Sequence, residues 1–192
     1  RKFFNYPNKY NFFYVINNFA KIYFKIFQSK INKNKVILIN ISEIHYLEHV
    51  RHYIEVINKL SSAQIFIATR DIYIENKNIK SLGKFIFPIR FLKFTYFVDL
   101  FISPCIEVQK PKGSYSIHVF HNQPIKYLSY PEKYLKNFEE HFIWGSFMRR
   151  WMEDMLSKKS FSAKLTNIGN PRIDYEHNKI KQKNKNTKIL SI

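Results

Sequence analysis

Lys35-Val36-Ile37-Leu38-Ile39-Asn40 is the stretch on which the fold turns. Its apolar residues are consecutive and rich in β-branched side chains, the signature of a strand buried on both faces of a parallel sheet. Residues 41–43 read as a loop. Residues 45–60 then carry an apolar stripe through Tyr46 or Leu47, Val50, Tyr53 or Ile54, Ile57 and Leu60 at helical spacing, and Gln64 to Ala68 is a second buried strand. Strand, helix and strand in this spacing form a βαβ unit, whose crossover is right-handed. Further strands are predicted near 84–87 (a brief one, stopped by Pro88), 99–103 (ended by Pro104), 116–121, 140–144 and 164–168. Short helices should begin at Pro131 and after Ser146, the latter residue acting as N-cap. The predicted class is α/β, with a mainly parallel, Rossmann-like sheet over residues 35–175.

Residues 1–34 stand apart. Residues 1–35 hold eight Lys or Arg and no acid, with a dense set of aromatics from Phe3 to Phe27. A helix over 10–29 would gather Phe12, Phe13, Ile16, Phe19, Ala20, Tyr23 and Phe27 on one side and Asn18, Lys21, Lys25 and Gln28 on the other. Lysines and asparagines interrupt it well short of the roughly 20 apolar residues that a bilayer crossing needs. Two readings stay open: the apolar side packs on its own domain, or it lies among lipid headgroups at the inner face of the cell membrane with its lysines toward anionic phosphates. Residues 90–97, RFLKFTYF, could form a second surface of that kind.

The 192 residues carry a formal charge of +18. Such a charge draws a protein toward phosphate backbones, yet only seven basic residues are arginine and they are not clustered. Lysine scattered among Asn, Ile, Phe and Tyr reads as compositional bias and solvated surface, so nucleic acid is not expected as a partner. A single cysteine, Cys105, excludes an internal disulfide framework and suits a cytoplasmic setting. Residues 176–187 read as a polar, lysine-rich linker, and 188–192 as the first strand of a second, nucleotide-binding domain.

The candidate chemistry follows the fifth long strand. His121 falls where that strand ends, and Asn122-Gln123-Pro124 breaks the extended pattern immediately after it. Ligands of open α/β sheets bind beyond the carboxyl ends of the strands, so His121 is the candidate base. His118 falls on the opposite face by the two-residue period and is not expected to act with it. His45, near the exit of the first strand, could touch a bound acceptor. His45, His49 and His52 share a helical face, but no Cys or Asp group completes a metal site, and neither metal nor cofactor is expected. Arg149 and Arg150 are read as a solvated helix face.

His121-Asn122-Gln123-Pro124, Trp144-Gly145 leading a helix, and Ile168-Gly169-Asn170-Pro171-Arg172-Ile173-Asp174 together resemble the CDP-glycerol glycerophosphotransferase family of teichoic acid and polyol-phosphate polymer synthesis. In that family a His-Gly-x-Pro motif ends a strand and a G-x-P-R-x-D motif precedes the second domain. Asn122 stands where glycine is usual. The resemblance covers roughly residues 35–192. It implies the acceptor-side half of a GT-B-type, two-domain transferase, inactive by itself, that moves glycerol phosphate from a CDP-activated donor to a hydroxyl of a lipid-linked or polymeric acceptor. It further implies His121 as general base, with Asn122, Gln123, Pro124, Ser146, Arg172 and His45 around the substrate. A nucleotide-sugar glycosyltransferase of the same architecture and a non-catalytic, membrane-associated binding module are the alternatives.

Overall fold

A computed structural model describes residues 12–82, 85–120, 132–158, 162–170 and 173. The apolar runs become seven strands: β1 (Val36–Ile41), β2 (Gln64–Thr69), β3 (Ile86–Pro88), β4 (Leu100–Ser103), β5 (Tyr115–Val119), β6 (Glu140–Ile143) and β7 (Lys164–Asn167). All pair in parallel, in the order β3-β2-β1-β4-β5-β6-β7. This Rossmann-like order reverses between β1 and β4. Pro88 lies inside β3 rather than beyond it. It can do so because β3 is an edge strand, where a missing N–H need not cost a ladder bond.

Helices cover both faces. α2 (Leu47–Leu60) and the short α3 (Lys77–Lys80) bury Leu47, Val50, Ile54 and Ile79 against Ile37, Ile39, Ile65 and Ile67. The opposite face carries α1 (Phe12–Ile31), the short α4 (Glu132–Leu135) and α5 (Ser146–Lys158). There Ile22, Ile26, Met148 and Met152 pack with Leu38, Phe66, Phe87 and Phe101. The helix expected over 45–60 is divided, since Ile44–Tyr46 form a 3-10 turn and the α-helix begins at Leu47.

α1 is one helix, as its composition predicts, but it buries a different side. Val15, Ile22 and Ile26 are buried and Phe19 stacks on Phe91 at 4.3 Å, whereas Phe13, Ile16, Ala20 and Phe27 face outward. The helix ends in a Schellman arrangement without glycine. Asn34 N–H donates to the Ser29 carbonyl and Lys33 N–H to the Lys30 carbonyl, both at 2.9 Å, with Lys33 at φ 58°.

Three carboxylates secure the amino ends of the strands. Asp99 accepts the Val36 amide at 2.7 Å and pairs with Lys30 at 2.8 Å. Glu139 receives the Ser116 amide at 2.7 Å and pairs with Lys110. Glu140, buried, takes Tyr115 Oη at 2.8 Å and Lys164 at 3.0 Å. Burial opposes ionisation of each, but these donors outweigh it and hold all three carboxyls below their usual range. They tie loops at the edge away from ligands.

Candidate functional site

The carboxyl ends of β1 and β4, where the strand order reverses, define the crevice in which an open α/β sheet binds its ligand. Asn40 and Ser103 bridge that point. Asn40 Nδ2 donates to Ser103 Oγ at 2.8 Å, and Ser103 Oγ also accepts the Cys105 amide at 3.1 Å while donating to the Cys105 carbonyl at 2.7 Å. Both side chains are fully buried, yet Asn40 Oδ1 has no hydrogen-bond partner. An unmatched amide oxygen at a ligand edge is an acceptor that a donor group on a ligand or water would satisfy.

Cys105 supplies no nucleophile here. Burial pushes its thiol up, only partly offset by the Glu107 backbone and the Tyr46 and Ser42 hydroxyls, so the reactive thiolate is disfavoured.

The β2 and β3 side of the edge is consumed by ion pairs. Glu43, just past β1, pairs with Arg70 at 2.5 Å and accepts from Tyr73 Oη at 3.2 Å. Asp71 pairs with Arg90, and Thr69 Oγ1 donates to the Ile41 carbonyl at 2.7 Å. His45 sits on the 3-10 turn beyond this cluster, exposed, its ring centroid 4.2 Å from that of Tyr46. His49 and His52 follow it on α2. Among the described residues no group of three His, Cys, Asp or Glu side chains could hold a metal ion.

At the other end of the edge, Gly145 leaves β6 at φ 98°, a conformation that favours glycine. Its carbonyl accepts the Arg149 amide at 3.1 Å, which makes Gly145 rather than Ser146 the cap of α5. Ser146 is the first helical residue, with an exposed side chain. Asn167 Oδ1 takes the Gly145 amide at 2.9 Å and the Gly169 amide at 3.3 Å, tying the β6 and β7 exits together. Arg149 donates to the Leu165 carbonyl at 3.2 Å and lies 3.4 Å from Glu153, so its guanidinium is already employed.

β5 ends at Val119, and Phe120 after it is fully buried. The next residue in the chain is His121, which, with Asn122, Gln123, Pro124 and Arg172, lies outside the described residues, as do 176–187 and 188–192.

Sequence reasoning missed one histidine pair altogether. Parallel register sets His118 of β5 opposite His141 of β6, and their Nδ1 atoms approach to 3.2 Å with both side chains fully buried. That contact requires one ring to carry its proton on Nδ1 and the other to accept it, so the pair is neutral or shares one added proton. Burial drives His141 down to about 4, against a smaller opposing influence from the Leu135 backbone, and its Nε2 finds no hydrogen-bond partner. Phe120 and Phe138 pack on the rings. Both rings are buried in the core, and the register pairs His118 with Ser103, one strand from the crevice. The only signal for it was a strand register that no single strand encodes.

Comparison with known proteins identifies no relative: no protein family, no curated protein and no solved structure matches the chain.

Proposed function

We propose that this chain is the acceptor-side half of a GT-B-type phosphopolyol transferase, moving glycerol phosphate from a CDP-activated donor to a hydroxyl of a lipid-linked or polymeric acceptor. The observation that carries the reading is positional. The His121-Asn122-Gln123-Pro124 motif follows the carboxyl end of β5, a strand next to the point of order reversal, and the Gly169-to-Asp174 motif follows the carboxyl end of β7. β5 and β7 both end at the sheet's ligand edge, and the two motifs follow them in sequence.

In this reading the acceptor oxygen attacks the phosphorus bearing the glycerol. A new P–O bond forms, the P–O bond to CMP breaks, and CMP departs with the electron pair. His121 takes the hydroxyl proton; an imidazole titrating near neutrality suits that task and contributes roughly 10² to 10⁴ in rate. Arg172 meets the phosphate, for which a guanidinium fork is well shaped. Ser146 and His45 serve as hydroxyl and imidazole contacts at the rim, and the donor's nucleotide is held by a second domain. Replacing His121 by Ala in the protein carrying this chain should cut CMP release from CDP-glycerol by about 10² or more with an unchanged circular dichroism spectrum. Undiminished release would sink the assignment.

A second reading, a membrane-bound module without chemistry, is favoured by the outward aromatics of α1. It predicts no CMP release from any activated polyol or sugar. Release from a nucleotide sugar alone would favour a glycosyltransferase of the same architecture.

A further inference from the structure

α1 is apolar on two sides, and among the described residues only one of them is covered. The inner stripe, Val15, Phe19, Ile22 and Ile26, lies on the sheet. The outer stripe, Ile16, Phe24, Phe27 and Ile31, recurs at helical spacing and stays between 37% and 64% exposed. It does not end with the helix. Phe97, 45% exposed, sets its ring 5.8 Å from that of Phe27, on a backbone at φ 67° that a phenylalanine seldom adopts. Phe94 beside it is 56% exposed. Two separate segments thus converge on one uncovered aromatic surface, larger in character than the scattered single apolar residues of an ordinary exterior.

Among the described residues the charge around that surface is mainly positive; the acids that reach α1 are Glu75, which accepts from Tyr14 Oη at 2.8 Å and pairs with Lys80, and Asp99, which pairs with Lys30. No acidic residue precedes Glu43 in the chain. Lys21 and Lys25 are exposed along the flank of the helix; Lys93 lies 4.7 Å from the Phe94 ring centroid, and Lys112 donates to Tyr96 Oη at 3.0 Å. Lys30 is spent on Asp99. A second copy of the chain packed on this face would set lysine against lysine. No helix among the described residues is long and apolar enough to cross a membrane. An apolar face rimmed mainly by cations matches a surface with anions outside and hydrocarbon beneath.

We propose that the outer face of α1 and the loop bearing Phe94 and Phe97 form one docking surface for an anionic lipid bilayer, the aromatic rings entering the interface and Lys21, Lys25, Lys93 and Lys112 meeting headgroup phosphates. The surface stands independently of the transferase reading, because docking needs no donor and its assay reads no CMP.

The test is co-sedimentation with vesicles of phosphatidylcholine alone and with vesicles carrying about 30% phosphatidylglycerol. The wild-type protein should pellet with the anionic vesicles and stay in solution with the neutral ones. A Phe24→Ser, Phe27→Ser, Phe97→Ser variant keeps every charge and should bind at least about tenfold more weakly. Equal binding by that variant, its circular dichroism unchanged, would mean that a chain of charge +18 merely adheres electrostatically, and overturns the proposal. So does wild-type protein that fails to bind anionic vesicles. A dimer that the triple variant dissolves, with vesicle binding unaltered, assigns the face to a second copy instead. Independently of folding in the triple variant, Phe24→Trp should add emission that shifts to the blue on anionic vesicles; co-sedimentation without that shift refutes insertion.

Discussion

Acidification should weaken this fold well above the carboxylate range, through the buried histidine pair. His141 titrates at about 4 in the folded chain because burial disfavours its cation, against an ordinary value of 6.5. The unfolded chain therefore binds a proton that the folded chain refuses. Stability is fully present above about pH 6.5, falls by roughly 1.4 kcal/mol per pH unit as pH drops toward 4, and loses nothing more from this group below that. Between pH 7 and pH 5 the loss from His141 amounts to about 2 kcal/mol. For a chain of this size that is a fall in melting temperature of about 4–8 °C. Asp99, Glu139 and Glu140, whose folded values are depressed, contribute stability above the ordinary carboxylate range and surrender it only as pH falls below that range, so they act later. The assay is urea unfolding at pH 7, 6 and 5 of wild-type protein and of His141→Asn, whose amide can accept the His118 proton but does not titrate. The variant starts weaker, and its pH slope should be flatter by about 2 kcal/mol across the interval. Parallel slopes would refute the reasoning and mean that the pair welcomes a proton in the folded state.

The two faces of α1 should answer mutation differently: Ile26→Ala, fully buried, is expected to cost about 2–5 kcal/mol, while Phe24→Ala, exposed, should stay within about 0.5 kcal/mol by urea titration. Gly145→Ala meets no atom within 4 Å, so its penalty is the φ of 98° alone, about 1–2 kcal/mol by the same titration.

The sheet was legible because a strand buried on both faces is largely apolar, as at 36–40, 64–68 and 99–103, whereas β7 is an edge strand with no buried residue and does not follow that rule. Helical patterning was a weaker guide at α1. Apolar residues surround most of that helix, so a wheel drawn from the sequence offers two candidate faces and no means of choosing between them. The reading through Phe13, Ile16, Phe19, Tyr23 and Phe27 straddled the two: Phe19 packs on the core with Ile22 and Ile26, while Phe13, Ile16 and Phe27 face outward. Contacts across the sheet were invisible for another reason. His118 with His141, Asn40 with Ser103 and Asn167 with Gly145 each depend on which strands become neighbours and in what register, and that is settled by the whole topology. Phe97 at φ 67° carries no sign at all, since neither glycine nor asparagine marks the place.

The division of charge along the carboxyl edge bears on where a phosphate could be received. Arg70 and Arg90 are neutralised by Glu43 and Asp71, and Arg149 is held by Glu153 and a backbone carbonyl. These pairs are part-exposed, so releasing one of the arginines costs only about 1 kcal/mol or less. The rest of the edge offers instead, among the described residues, the Ser103 hydroxyl bridged to the Asn40 amide, the unmatched Asn40 oxygen, and the amino end of α5 after Gly145. That part can position hydroxyls, and its exposed arginine is Arg150 on α5. Arg172 lies outside the described residues and follows β7 by five residues in sequence. The existing commitments of Arg70, Arg90 and Arg149, rather than a large energetic cost, are the reason to test Arg172 first for the proposed phosphate contact.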